Sequence, residues 1–133
     1  MNKRVNLIIG SGVLGAYLSA ELLKNKQIVV VTSRSLNKNF TNYKYLKIKN
    51  KIKFEKLNTN KKNEIEKIIK KYKPKKIFYF SGQSSLTKSV ENKKETFDSH
   101  FNGTKNFLVF LKKEKLNTKF YKANSGYIFS SIS

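Results

Sequence analysis

The sequence predicts a doubly wound α/β domain on a parallel sheet of about five strands, Rossmann-like in its layout. Three observations carry this expectation. Short, nearly continuous apolar runs alternate with stretches of helical periodicity, as strands covered on both faces require. The elements run strand, helix, strand, strand, helix, strand, helix, strand, and parallel neighbours need such crossovers. The first strand also ends in a glycine turn that opens a helix.

The first strand is "RVNLIIG", residues 4–10. From Val13 to Lys24 the apolar residues Leu14, Tyr17, Leu18 and Leu22 fall on one helical face. "QIVVVTS", residues 27–33, is the second strand. Residues 35–50 are polar and irregular and give no strong signal. "KIKFEKL", residues 51–57, alternates, which suits a strand near the sheet edge.

In "NKKNEIEKIIKKYKP" the residues Ile65, Ile68, Ile69 and Tyr72 mark an amphipathic helix that Pro74 closes. "KKIFYFSG", residues 75–82, is a fourth buried strand. A long helix is expected from Lys94 to Lys115, with Phe97, Phe101, Leu108 and Leu111 facing inward. "TKFYKAN", residues 118–124, is the last strand. With no repeat or linker, residues 1–133 read as one domain.

Composition excludes some chemistry. The chain has no cysteine and one histidine, His100, which leaves disulfides and thiolate or imidazole metal sites without ligands. The net charge of +21 suggests polyanions, but 27 of the 29 basic residues are lysines spread along the chain. Arg4 and Arg34 are the only arginines, and sequence-specific nucleic-acid readers rely on arginine's bidentate fork. Binding to DNA is therefore expected to be non-specific and salt-sensitive. "MNKRVNLIIGSGVLGAYLSA" has the outline of a signal peptide, yet the following strand continues the α/β pattern, so it reads as strand, turn and helix. No apolar run reaches the ~18 residues of a membrane span, and a soluble, cytoplasmic protein is expected.

The chemistry should sit at the strand C-terminal ends. "GSGVLG" places Gly10, Gly12 and Gly15 in G-x-G-x-x-G spacing between a strand and a helix. The first glycine permits the tight turn, the second lets a pyrophosphate approach, and the third lets helix pack on strand. The amides at the helix start, around Val13 and Leu14, would hold the phosphates. After the second strand an acidic residue would select NAD, but "VTSRS" supplies neutral Thr32 and Ser33 and then Arg34. An arginine here suits the 2′-phosphate of NADP. Asn58 and Thr59 follow the third strand and could reach the adenine. Ser81, Gly82, Gln83 and Ser84 follow the fourth and could line the nicotinamide side.

Several of these stretches resemble the extended short-chain dehydrogenase/reductase (NAD-dependent epimerase/dehydratase) family. The likeness is greatest to the GDP-mannose 4,6-dehydratases. It rests on "SRS" after the second strand, "SGQSSLTKSVE", "NGTKNFL" in the long helix and "KFYKANS" in the fifth strand. The glycine motif is one residue tighter than the family's usual G-x-x-G-x-x-G, and Asn58 stands where an aspartate is usual.

The resemblance implies NADP as cofactor and GDP-mannose or a related nucleotide sugar as substrate. The sugar is oxidised at C4, water is eliminated across C5 and C6, and the hydride returns at C6. It also implies a Ser or Thr after the fifth strand, a Glu two residues on, and a Tyr and Lys four apart on the next helix. Ser125 matches the first, whereas Tyr127 occupies the glutamate's place. The Tyr and Lys are expected beyond residue 133. Tyr43/Lys47, Tyr45/Lys49 and Tyr72/Lys76 have the spacing, but 7 tyrosines among 27 lysines give about 1.4 such pairs by chance, and all three precede the fifth strand.

The expectation is thus the NADP-binding part of a nucleotide-sugar dehydratase, truncated at its C-terminal side and inactive alone. The alternatives are a non-catalytic NADP-binding module, a subunit completed by another chain or a homo-oligomer, and a basic polyanion-binding protein. "YIFSSIS", residues 127–133, is expected to lack a sheet to pack on and so to favour poor solubility or association.

Overall fold

The computed structural model describes residues 4–80, 101–123 and 129–132. Its elements run β1 Val5–Ile9, α1 Val13–Lys24, β2 Ile28–Ser33, α2 Thr41–Tyr45, β3 Lys53–Lys56 and α3 Lys62–Tyr72. There follow β4 Lys76–Tyr79, α4 Gly103–Lys113, β5 Lys119–Ala123 and β6 Phe129–Ile132. The sheet order is β3-β2-β1-β4-β5-β6. The first five strands are mutually parallel, as expected, and β3 is an edge.

A sixth strand corrects the picture of an unpartnered terminus. β6 returns antiparallel along β5, with Phe120 opposite Ile132 and Ala123 opposite Phe129. An antiparallel return needs only a short connection, so the segment finds its partner in the strand just before it.

Each sheet face carries its own core. Leu7, Ile9 and Ile77 meet α3 and α4 through Ile65, Ile69, Phe107 and Leu111. Ile8, Val29 and Val31 meet α1 and the α2 region through Ala16, Leu22, Phe40 and Tyr43. Adjacent strand residues face opposite sides, which is why β1 and β2 are apolar apart from Asn6 and the Thr32–Ser33 end.

Two helical faces differ from the periodicity reading. On α1 the buried residues are Gly15, Ala16, Ser19 and Leu22, while Leu14 and Tyr17 are 52% and 56% exposed. Small residues face the sheet because α1 lies too close to β1 for larger ones; a Cβ on Gly15 would sit 3.2 Å from the Ile8 side chain. On α4 the buried face is Gly103, Thr104, Phe107, Phe110 and Leu111. Leu111 is inside as expected and Leu108 is partly buried against the core, but Phe101 is 55% exposed. Phe97 lies outside the described residues.

The stretch that gave no signal, residues 35–50, contains α2 and a 3₁₀ turn at Lys49–Lys51. Its anchors are Phe40 and Tyr43, which pack with Phe54 of β3 as an aromatic trio.

Candidate cofactor site

The glycine loop crosses the C-terminal edge of the sheet. Gly10 takes φ 112°, a conformation that glycine alone adopts at low cost, and its N–H donates to the Thr32 carbonyl at 3.1 Å. The loop is thereby tied to the end of β2. Gly15 has no room for a side chain, since a Cβ there would lie 2.9 Å from the Gly10 carbonyl oxygen. Gly12 is the opposite case: a Cβ there would meet nothing within 4 Å.

Gly12 is also the N-cap of α1, and no side chain caps the helix. The Ala16 N–H reaches back to the Gly12 carbonyl, so the earlier amides, including those of Val13 and Leu14, stand outside the helical ladder. The first turn of α1 also holds no acidic residue that would oppose an anion at its positive end. This donor set and clearance fit a pyrophosphate.

Beyond β2 the chain turns polar. Thr32 and Ser33 are buried, and the Thr32 hydroxyl donates to the Ile8 carbonyl at 3.3 Å. Arg34 is exposed at the strand end. The Ser11 hydroxyl, in the glycine loop, donates to the Ser33 hydroxyl at 3.4 Å and accepts from Lys38 Nζ at 3.2 Å.

After β3, Asn58 and Thr59 form the turn into α3. The Asn58 N–H donates to Glu64 Oε1 at 3.0 Å, and its side-chain oxygen accepts from the Asn60 N–H at 2.9 Å. The Thr59 carbonyl accepts from Asn106 Nδ2 of α4 at 2.9 Å. The Thr59 hydroxyl oxygen would lie 2.9 Å from a Cβ on Gly103. Sequence reasoning missed this clasp, although Gly103 and Asn106 both lie in "NGTKNFL" and the spacing of three puts them on one helical face. Ser81, Gly82, Gln83, Ser84 and Ser125 lie outside the described residues. The strands that precede them, β4 and β5, are parallel to β1 and so end on the same edge as the glycine loop.

The three Tyr-x-x-x-Lys matches are accounted for otherwise. Tyr43 is buried in the core, and Tyr45 is exposed on α2. Tyr72 hydrogen-bonds Glu55 on the β3 edge. Among the described residues, no group of three His, Cys, Asp or Glu side chains could hold a metal ion. No described helix is long and apolar enough to cross a membrane.

A family model described as GDP-mannose 4,6 dehydratase matches residues 7–132. The chain belongs to this family. Among curated relatives of the GDP-mannose 4,6 dehydratase family chain, the CDP-paratose 2-epimerase of Salmonella typhi is 28% identical over 123 residues, covering 92% of this chain and 34% of that protein. The UDP-glucose 4-epimerase of Thermotoga maritima, solved with UDP-glucose, superposes with a TM-score of 0.77 at 20% identity, covering 92% of this chain and 38% of that one. The Bifidobacterium longum UDP-glucose 4-epimerase, solved with NAD+ and UDP, gives a TM-score of 0.76 at 20% identity, covering 91% and 37%. The chain thus spans about a third of the length of these relatives. It is a nucleotide-sugar epimerase/dehydratase-family Rossmann unit.

Proposed function

We propose that this chain is the NADP-binding part of a nucleotide-sugar dehydratase acting on GDP-mannose or a close relative. The observation that carries the reading is the pairing of an open, uncapped α1 N-terminus at Gly12 with a basic β2 end at Arg34. The first suits a pyrophosphate. The second suits a phosphate on the adenosine ribose and lacks the carboxylate that would favour an unmodified 2′-hydroxyl.

The cofactor, when bound, accepts a hydride from the sugar and returns it. The residues of this chain would bind and orient. Gly12, Val13 and Leu14 would hold the pyrophosphate in a loop that Gly10 turns and Gly15 seats on β1, Arg34 would hold the 2′-phosphate, and Asn58 and Thr59 the adenine side. Ser81, Gly82, Gln83 and Ser84 line the inner ribose. Ser125 orients the sugar hydroxyl that loses its proton. Removal of that proton needs a base of lowered pKa, and elimination needs a carboxylate where this chain has Tyr127. On this reading these residues serve cofactor binding, and Tyr127 withholds the carboxylate that elimination needs. A non-catalytic NADP-binding module, or a subunit completed by another chain, is the second reading, favoured by Tyr127.

Calorimetric titration of NADP and NAD tests the cofactor, with Arg34→Ala alongside. The expected preference for NADP is about tenfold or more, from a charge-assisted contact. Equal affinities, or an unaltered Arg34→Ala, would overturn it. Incubation with NADP⁺ and GDP-mannose tests the chemistry. No 4-keto-6-deoxy product is expected, and turnover above a Ser125→Ala control would contradict the assignment.

A further inference from the structure

We infer that Lys38, working with Ser11, is a second specificity-determining contact that selects a 2′-phosphorylated adenosine cofactor. The inference rests on the cofactor reading proposed above and adds residues to it. Lys38 lies four residues past Arg34 along the chain, yet its ammonium reaches the glycine loop and donates to the Ser11 hydroxyl at 3.2 Å. Ser11 in turn donates to Ser33, the last residue of β2, at 3.4 Å. The Ser35 hydroxyl accepts the Asn37 N–H at 3.1 Å, which folds the intervening loop back. The bridge therefore joins three segments: the glycine loop, the β2 end and the loop after it.

The chemistry of that cluster favours a dianion. The Lys38 ammonium and the Ser11 and Ser33 hydroxyls meet at the β2 end, Arg34 follows Ser33 directly in the chain, and residues 31–40 contain no acidic side chain. On the neighbouring strand, Glu55 is engaged by Lys71 and Tyr72. A phosphate monoester offers several acceptor oxygens at once and can take the Lys38 proton donor in place of Ser11. A neutral 2′-hydroxyl offers no charge to the ammonium, so Lys38 gains nothing by leaving Ser11 for it. Lys38 should then discriminate between cofactors and contribute little to binding the part they share.

The test compares wild type, Lys38→Ala, Lys38→Arg and Lys113→Ala, the last an exposed lysine in the final turn of α4. Each is titrated with NADP, NAD, adenosine 2′,5′-bisphosphate and ADP at fixed salt. Lys38→Ala should lose about tenfold in affinity for the two 2′-phosphorylated ligands. It should stay within about twofold for the other two, a margin small beside a charge-assisted contact. Lys38→Arg should retain most of the affinity, and Lys113→Ala should match wild type. An unaltered Lys38→Ala with NADP still preferred by wild type would overturn this inference alone. An equal loss in Lys113→Ala would assign the effect to overall charge and also overturn it. Equal binding of NADP and NAD by wild type, or no binding of either, would remove the cofactor reading as well.

Discussion

The Tyr79 hydroxyl occupies the space that a Cβ on Gly103 would need. The ring is fully buried, between Phe107 of α4 and Phe120 of β5. Gly103 therefore lets the first turn of α4 lie against β4 and brings Asn106 within reach of Thr59. Gly103→Ala should destabilise the fold by about 1–3 kcal/mol, the usual range for overpacking, despite alanine's better helix propensity. Tyr79→Phe combined with Gly103→Ala should recover part of the loss, because it removes the clashing oxygen. Denaturant unfolding of the two variants beside wild type measures both. Stability at or above wild type in Gly103→Ala would refute the contact.

Gly12 and Gly15 separate ligand binding from folding. Gly12→Ala places its methyl in open space and should change stability by less than about 0.5 kcal/mol, as a surface change does. It should weaken NADP binding about tenfold or more, because the methyl sits where a pyrophosphate must approach the backbone. Gly15→Ala should cost at least about 1 kcal/mol, since its methyl meets backbone oxygen that cannot swing aside. The checks are unfolding curves and cofactor titrations on both variants. A large stability loss in Gly12→Ala, or none in Gly15→Ala, would reverse the assignment of the two glycines.

The strands β1, β2 and β4 were legible as largely apolar runs, which β1 and β2 need to serve two cores, and β3 by its alternation at the sheet edge. Helix faces were less legible. Periodicity finds apolar residues, yet α1 turns Gly15, Ala16 and Ser19 to the sheet and leaves Leu14 and Tyr17 outside. Close packing there selects for small size over apolarity. The α2 region was hidden because its anchors, Phe40 and Tyr43, are isolated in polar sequence and act through Phe54 of a distant strand. In the site, the glycine spacing and Arg34 could be read locally. The Ser11–Lys38 bridge and the Asn106–Thr59 bond could not, because they join residues 27 and 47 positions apart.

Glu55 gives the edge strand a pH-dependent tie. Burial pushes its carboxyl up, but hydrogen bonds from Lys71 and Tyr72 and the charges of Lys71 and Lys53 outweigh this and hold it below the usual glutamate range. A depressed carboxyl contributes stability above its unfolded pKa and loses it as pH falls through the lower folded value. The stability difference between wild type and Glu55→Gln should therefore be level from about pH 6 to 8 and shrink below about pH 4.3, the usual glutamate value. Urea midpoints across that series measure it. A difference that grows on acidification would contradict the sign.

Tyr43 buries its hydroxyl without a hydrogen-bond partner among the described atoms. Burial pushes its pKa well above the usual phenol range, with Ser19 nearby offsetting this only in part. An unsatisfied buried hydroxyl costs about 1–3 kcal/mol. Tyr43→Phe keeps the ring that packs on Phe40 and Phe54 and removes that cost, so thermal unfolding should show equal or higher stability. A clear loss would mean that the hydroxyl has a partner in solution.

Lysine closes every described helix in the left-handed conformation. Lys26, Lys47, Lys73 and Lys115 follow α1, α2, α3 and α4 with φ between 46° and 59°. Three of them sit in paired terminal hydrogen bonds: Lys26 to Leu23 with Gln27 to Leu22, Lys47 to Lys44 with Ile48 to Tyr43, and Lys115 to Lys112 with Leu116 to Leu111. This is the Schellman arrangement, whose left-handed residue is usually glycine. A lysine there meets the Cβ clash of the left-handed region, about 1–2 kcal/mol, while glycine returns some of the gain through its freer unfolded state. Its positive charge is well placed beside the helix C-terminus, which offsets a few tenths more at low salt. The conformational term is the larger. Lys115→Gly should therefore stabilise the chain by about 0.5–1 kcal/mol, and the gain should rise in high salt as the charge term is screened. Lys115→Asn should fall between the two, because asparagine tolerates the left-handed region better than lysine does. Parallel unfolding curves at low and high salt decide it. A loss of stability in Lys115→Gly at both salts would mean that the lysine side chain holds the helix end by contacts that outweigh its backbone strain.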